Sequence, residues 1–370
     1  MLTLTHLREG LRIFLASWKA KYRGFRLYQG TPEQIARAII QNCWNGRYFQ
    51  TSTRNFAEFW TRDFGICAEA LVQLGYREKV VLTVRYALNA FKKANTITTT
   101  ITPSGVPIDC FSFASDSLPW FLHRINAAQA SFLVEENRTF FEERIKEYYQ
   151  KVVDSHTGLV RADRVFSGMR DYAKRRSSCY DNCMVYFLGE TCRRLKLTIP
   201  WNNKKLQKHI EHTFWNGTYF YDDLNKRAIV VGDAQVFPFW TGVCSDTKKL
   251  RSCVEAMERT GLTAPWPLKY TAQREKDEQW FFSELLVKNY ETNSIWMHLG
   301  LCYLDVLKKY DQKRFRVHLE QYSKLIEKHQ TFLEVYDQNE SPFSTPFYLA
   351  DEGMLWVSKW LWLKEKVKRK

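Results

Sequence analysis

The feature that most constrains this chain is the recurrence of apolar residues at helical spacing along almost its whole length. The stretch Leu2–Tyr22 carries apolar residues at 4, 7, 11, 14, 15 and 18, one face of a helix. Similar segments recur at about 32–42, 62–75, 77–94, 117–132, 138–152, 180–195, 202–213, 246–259, 274–288, 292–309, 313–329 and 352–367. Thr31-Pro32-Glu33 reads as a helix start, with Thr as the cap and Pro in the first turn. Strand signals are few. Asn216-Gly217 between Trp215 and Tyr219 predicts a small hairpin, and Ala228–Val231 a short strand. Long connections at 95–116, 154–178, 261–273 and 331–351 are rich in Gly, Pro, Ser and Thr. About twelve to fourteen helices joined by alternating short and long loops, with no Pro/Gly linker, predict one all-α domain over residues 1–370. A toroid of helical hairpins fits best, because its long loops gather on one face, where binding and catalysis usually live. No fixed-period repeat is visible, which disfavours a solenoid.

Composition removes several classes of function. The chain is 45% hydrophobic and 26% charged, an ordinary globular balance that excludes wholesale disorder. No apolar run approaches the roughly 18 residues of a spanning helix, so no membrane association is expected. Residues 1–26 scatter Arg8, Glu9, Arg12, Lys19 and Lys21 and show no small-residue cleavage site, so no signal peptide is expected. Nine cysteines, odd in number and without a C-x-x-C pair, fit free thiols in a reducing, cytoplasmic setting. Cys179 and Cys183 have no matching second ligand pair, and His209 and His212 around Glu211 lack metalloprotease spacing. No metal or organic cofactor is therefore expected. The formal charge is +15, but the positive residues are dispersed apart from Lys174-Arg175-Arg176, Arg193-Arg194 and the tail Lys364–Lys370. No zinc-finger, RRM-type or helix-turn-helix signature accompanies them. General solubility charge is favoured over a nucleic-acid partner, with an anionic small molecule as the rival.

Three segments carry chemistry. Phe59-Trp60-Thr61-Arg62-Asp63-Phe64-Gly65 opens a helix; Asp63 suits its positive end, and an Arg-Asp pair beside aromatics also suits a sugar subsite. Phe332-Leu333-Glu334-Val335-Tyr336-Asp337 places Glu334 among apolar residues, where a partly desolvated carboxylate can act as a general base. It is followed by Asp351-Glu352-Gly353-Met354-Leu355-Trp356. Gly168-Met169-Arg170-Asp171 and Ser178-Cys179-Tyr180-Asp181-Asn182 offer two carboxyls for a general acid, although Asp181 also suits a first-turn role. A glycosidase needs one carboxyl to protonate the leaving oxygen and another to activate water or attack.

These residues resemble a family. Trp60–Gly65 resembles the W-T-R-D-x-G stretch of glucoamylases, glycoside hydrolase family 15. Phe332–Asp337 resembles their A-E-Q-[YF]-D segment, and Leu355-Trp356-Val357-Ser358 their L-x-W-S helix start. The same order recurs in the wider six-hairpin glycosidases, including the amylo-α-1,6-glucosidase parts of glycogen-debranching enzymes. Their W-M-D motif is similar to Met169-Arg170-Asp171, and Phe214-Trp215 with Tyr219–Asp222 is similar to another recurrent element. The matches span about 60 to 360. The resemblance implies an (α/α)6 toroid and an inverting hydrolase of a short, α-linked glucoside or related oligosaccharide. It gives Glu334 the base position and Asp171 the acid position, with Asp181 as the alternative acid through the D-N pair of α-glucosidase I-like relatives. Arg62 and Asp63 would hold sugar hydroxyls, Trp60 would wall the subsite, and Asp116 matches a nearby carboxylate loop. Tyr336 and Trp356 would flank the carboxylates as stacking walls. The acid segment has Met169-Arg170 in place of the tryptophan expected before the carboxylate, and Arg170 would sit beside the site and meet an anionic sugar. Two rivals stand beside this expectation. An epimerase on the same toroid would want paired histidines in the motif loops, and only His156 lies at the edge of one. A toroid with a decayed catalytic pair would be a carbohydrate- or anion-binding protein, which the Met169-Arg170 departure and the basic charge favour.

Overall fold

The computed structural model describes residues 3–110 and 112–368, so Leu2 and the last two residues of the basic tail lie outside it. In chain order the helices are α1 (Leu4–Arg23), α2 (Pro32–Cys43), α3 (Thr61–Gln73), α4 (Arg77–Ala94), α5 (Ser117–Ala127), α6 (Phe132–Glu135) and α7 (Arg138–Val152). They continue with α8 (Cys179–Arg194), α9 (Asn203–Phe214), α10 (Gly232–Trp240), α11 (Thr247–Arg259), α12 (Met297–Tyr310), α13 (Gln312–His329) and α14 (Val357–Lys368).

Sequence character sorts these helices into two layers. α5, α8, α10 and α12 are buried on nearly every side, as helices that are apolar all round must be. α2, α9, α11 and α13 bury only one stripe each, such as Leu206, Ile210 and Phe214 of α9. Packing follows that division. α3, α5, α8, α10, α12 and α14 touch in turn, and α14 returns to α3, closing an inner ring. Around it lie α4, α7, α9, α11, α13 and α2, each against an inner neighbour. The result is the expected (α/α)6 toroid. One hydrophobic cluster runs through both layers, with Trp120 and Trp360 of the inner ring fully buried.

Local departures from expectation have physical reasons. α10 goes unread in the sequence because Gly232 opens it and Pro238 lies inside it, both poor helix signals. The periodic stretch 274–288 holds only a 3-10 turn, Phe282–Val287, where Glu284 accepts the Asn289 amide and pairs with Arg274. Residues 117–132 break at Ala127, and 228–231 form no strand. At Asn216-Gly217 the expected turn is present: Asn216 N donates to Tyr219 O and Trp215 bridges Phe220. Trp44-Asn45-Gly46-Arg47-Tyr48-Phe49 builds the same turn at another hairpin. Short strands occur instead in the long loops: β1 (Phe59–Trp60), β2 (Thr100–Ile101) and β3 (Pro107–Ile108) form one antiparallel sheet. A second pairs β4 (Ile295–Trp296) with β5 (Val335–Tyr336), which ties the start of α12 to the Glu334 loop.

Candidate active site

The residues that open the inner helices, Trp60 before α3, Trp296 before α12 and Trp356 before α14, all line one cavity of about 570 Å³. Helix N-termini carry positive partial charge, so that end of the ring favours carboxylates. Among the described residues, six carboxyl groups line the cavity, from Glu9, Glu58, Asp63, Asp171, Glu291 and Glu334, against one guanidinium, Arg62.

Glu334 sits one residue before β5 and is buried. Its Oε1 accepts the Tyr290 hydroxyl, and its Oε2 accepts the Tyr348 hydroxyl at 2.5 Å and the Asp351 amide at 2.9 Å. Burial pushes its pKa up to about 7, the Asp351 charge adds to this, and the two tyrosine donors oppose it. A carboxylate offers about four acceptor positions. Three are used, leaving one for a water in the cavity.

A second acidic cluster gathers around Arg62 at the same cavity. Arg62 grips both oxygens of Asp171, at 3.0 and 3.1 Å, and donates from Nε to Asp116 at 2.6 Å. Ser167 donates to Asp171 as well. Beneath them, Glu291 is buried and accepts the backbone amides of Asp171 and Tyr172, each at 2.8 Å. Burial first, and then the Asp171 charge, raise its pKa. Arg62 thus serves two carboxyls, Asp171 and Asp116, while the Arg170 charge opposes the rise at Glu291. Asp63, in the first turn of α3, accepts the Trp356 indole at 3.0 Å, and burial lifts its pKa to about 6. The His298 ring lies tilted against Trp356 with ring centroids 4.6 Å apart and is kept neutral by burial.

Of the residues named from sequence, Glu334, Asp171, Trp60, Arg62, Asp63 and Trp356 line the cavity. Four others do not, and those expectations are corrected. Asp181 is buried, with Ser178 and Ser115 hydroxyls on its carboxylate at 2.6 and 2.7 Å, so it anchors the start of α8. Asp116 is buried behind Arg62, where it also accepts the Tyr180 hydroxyl at 2.7 Å. Arg170 is fully buried and pairs with Glu278 at 2.6 Å, because the backbone there turns it away from Asp171. Tyr336 packs edge-on against Trp266 inside the core. The basic run beside the acid is likewise spent elsewhere: Arg175 pairs with Asp233 at 2.7 Å and Asp222 at 3.2 Å.

Sequence reasoning missed Tyr290, Glu291 and Tyr348. The first two fall between segments read as helices, and their partners lie far away in the chain. The one available signal was an acidic and aromatic pair, Tyr290-Glu291, in a stretch where helical periodicity lapses. The N-terminal helix was also read without its position. α1 lies across the cavity mouth, which His6, Leu7, Gly10, Leu11 and Phe14 help to line. It is held by His6 against the Asp109 carbonyl at 2.7 Å and by Arg12 against the Asn55 carbonyl at 2.9 Å and Glu58. Glu58 is itself buried, which lifts its pKa to about 7.

No family model matches the chain, and no curated protein sequence does. Solved structures do match. A rhamnosidase from Klebsiella oxytoca with rhamnose bound aligns with a TM-score of 0.67 at 11% identity, over 91% of this chain. The chain spans 63% of that rhamnosidase. A GH63 mannosylglycerate hydrolase from Thermus thermophilus, in complex with Tris and D-glycerate, aligns with a TM-score of 0.61 at 11% identity, over 90% of this chain and 100% of the hydrolase. A glycosidase variant in complex with glucose aligns with a TM-score of 0.62 at 13% identity, over 100% of this chain and 99% of its own. At such identities the likeness is one of architecture: the chain has the (α/α)6 toroid fold that these glycosidases share.

Proposed function

We propose that this protein is an inverting glycoside hydrolase acting on a short glucoside or related oligosaccharide. The observation that carries the reading is Glu334, a buried carboxyl at the cavity wall whose three donors leave one acceptor position for water. In this mechanism ionised Glu334 takes a proton from that water as it attacks the anomeric carbon. Asp171 supplies the proton to the leaving oxygen from the opposite side, with Glu291 keeping a proton in the cluster. Inversion requires the two carboxyls to stand about 6.5–9.5 Å apart, leaving room for the water. Trp60 and Trp356 offer faces on which a sugar ring can stack, while Arg62 and Asp63 offer hydroxyl partners. Solved relatives of the fold hold glucose, rhamnose or D-glycerate, which supports a small sugar substrate. An α-linked glucoside remains the choice through the resemblance to glucoamylases and debranching enzymes. The acidic cavity lining favours a neutral sugar over the anionic one that the net charge invited. Residues 1–370 would act as one catalytic domain, and nine unpaired thiols fit a reducing, cytoplasmic setting.

A second reading, a sugar-binding toroid without turnover, is favoured by one contact. The bidentate grip of Arg62 sets a donor on each Asp171 oxygen, which crowds the positions where the proton of an acid would sit. A screen of aryl- and oligo-glycosides with wild type and Glu334→Gln separates the two. The hydrolase reading expects turnover by wild type and a loss of about a hundredfold or more in the variant. Unchanged turnover in the variant rejects the base. Saturable sugar binding with no turnover by wild type establishes the binder.

A further inference from the structure

We propose that the rim of the cavity mouth, built by α1 and the 3-10 turn Phe282–Val287, docks this protein on an anionic lipid surface. This docking is independent of the hydrolase reading.

A helix laid on a globular protein normally turns its apolar stripe inward. α1 does the reverse along one side. Leu4, Leu7, Leu11, Leu15, Trp18 and Tyr22 are 82, 64, 58, 49, 50 and 75% exposed. Their spacing of three and four residues puts them on a single stripe. Ser17 and Ala20, on another face, are the residues of α1 that are buried. The stripe does not end with the helix. Phe282 and Leu285 are 87 and 61% exposed, and Leu286 and Phe347 are half exposed. Leu7, Leu11, Leu286 and Phe347 also line the cavity, so both apolar elements meet at its mouth. Thr345 ties them, donating to the Leu286 carbonyl while Lys21 of α1 donates to its own carbonyl. Single exposed apolar residues are commonplace, whereas a contiguous patch of this kind marks an interaction surface.

Charge selects the occupant. By helical angle, Arg8 and Lys19 fall beside the stripe, whereas Arg12 turns to Glu9 and Glu58, and the chain as a whole carries +15. A second copy seated on this face in a two-fold dimer would set these basic flanks and two such net charges against each other. An anionic bilayer accepts both features, leucines into the acyl boundary and basic side chains at the headgroups. Trp18 and Tyr22 suit the interfacial layer between them. The contact lies on the surface and does not span it, since among the described residues no helix is long and apolar enough to cross a membrane.

The test is co-sedimentation of the full chain with phosphatidylcholine vesicles, with and without phosphatidylserine. Wild type is expected to bind the phosphatidylserine vesicles and to be released by added salt. Leu4→Asp/Leu15→Asp, at two exposed positions that do not line the cavity, is expected to weaken binding by about tenfold or more. Helix content by circular dichroism checks that α1 survives. Phe282→Asp on the other element is expected to weaken binding without touching α1. Absence of binding to phosphatidylserine vesicles overturns the proposal, as does binding that neither variant weakens. A concentration-dependent dimer that Leu4→Asp/Leu15→Asp dissociates, without vesicle binding, overturns it in favour of a second copy.

Discussion

Replacing Tyr290 by Phe removes one hydroxyl from the Glu334 carboxylate and leaves the ring, so packing is conserved. Tyr290 donates to Oε1, while Tyr348 and the Asp351 amide serve Oε2. Oε1 is therefore left with no donor from these three groups. A hydrogen bond to a charged group is worth about 1.5–3 kcal/mol. Because the donor stabilises the ionised form, its loss raises the Glu334 pKa, by about 1–2 units at roughly 1.4 kcal/mol per unit. The pKa already stands at about 7 through burial. The acid limb of kcat/KM, which reports the free enzyme, should thus move from near 7 toward about 8 or higher. At neutral pH the variant should lose about fivefold or more, and the loss should shrink as pH rises. A pH profile on whichever aryl glycoside the wild type hydrolyses reads this directly. A contact of Tyr290 with substrate would instead lower kcat/KM equally at every pH. An acid limb that stays where the wild type has it would refute the assignment of Glu334 as the titrating base.

Other outcomes follow from the same geometry. Asp181→Asn should lower stability by about 1–3 kcal/mol in urea unfolding, through the Ser115 and Ser178 contacts, while leaving the pH profile of turnover in place. Abolished turnover in a folded Asp181→Asn protein would return it to the acid role. Gly65→Ala in α3 would place a methyl 2.7 Å from the Trp120 ring of α5, so unfolding should begin about 1–3 kcal/mol earlier. A midpoint equal to wild type would show that the ring yields freely. Stability should also depend on pH. Burial raises Glu58 and Glu334 from 4.5 to about 7, and Asp63 and Asp181 from 3.8 to about 6. Groups raised on folding contribute fully below their ordinary pKa and lose that contribution as pH rises through the folded value. The urea midpoint should fall between about pH 5 and pH 8. The exposed carboxyls held low, such as Asp154 and Asp246, act in the opposite sense at more acidic pH. A midpoint that climbs across the interval would contradict the burial of these four groups.

What the sequence made legible was whatever is local. Trp60-Thr61-Arg62-Asp63 announces a helix start and its site residues together, because the helix end that needs a carboxylate is also the end that faces the cavity. Glu334 stands out since a carboxylate among apolar neighbours demands partners. Those partners could not be read: Tyr290 and Tyr348 arrive from loops 44 and 14 residues away. Glu291 is bound by backbone amides about 120 residues distant, which carry no residue-type signature. Sequence alone favours Asp171 as the acid but keeps Asp181 as an alternative, because each matches a different carboxylate motif. Only the fold separates a carboxyl gripped at the cavity by Arg62 from one closed off in the first turn of α8. Arg170 misled in the same way, since at a bend in the backbone adjacent side chains point to different places. The segment 274–288 shows how strong periodicity can be overridden, there by the ion pair and amide contacts of Glu284.

The most direct test of the central claim is NMR observation of the first sugar anomer released by the wild-type protein, before mutarotation. The account predicts the anomer opposite in configuration to the substrate, and no such product from Glu334→Gln. A first-formed anomer that keeps the substrate configuration would contradict it, because Glu334 would then be attacking the sugar itself and not activating a water.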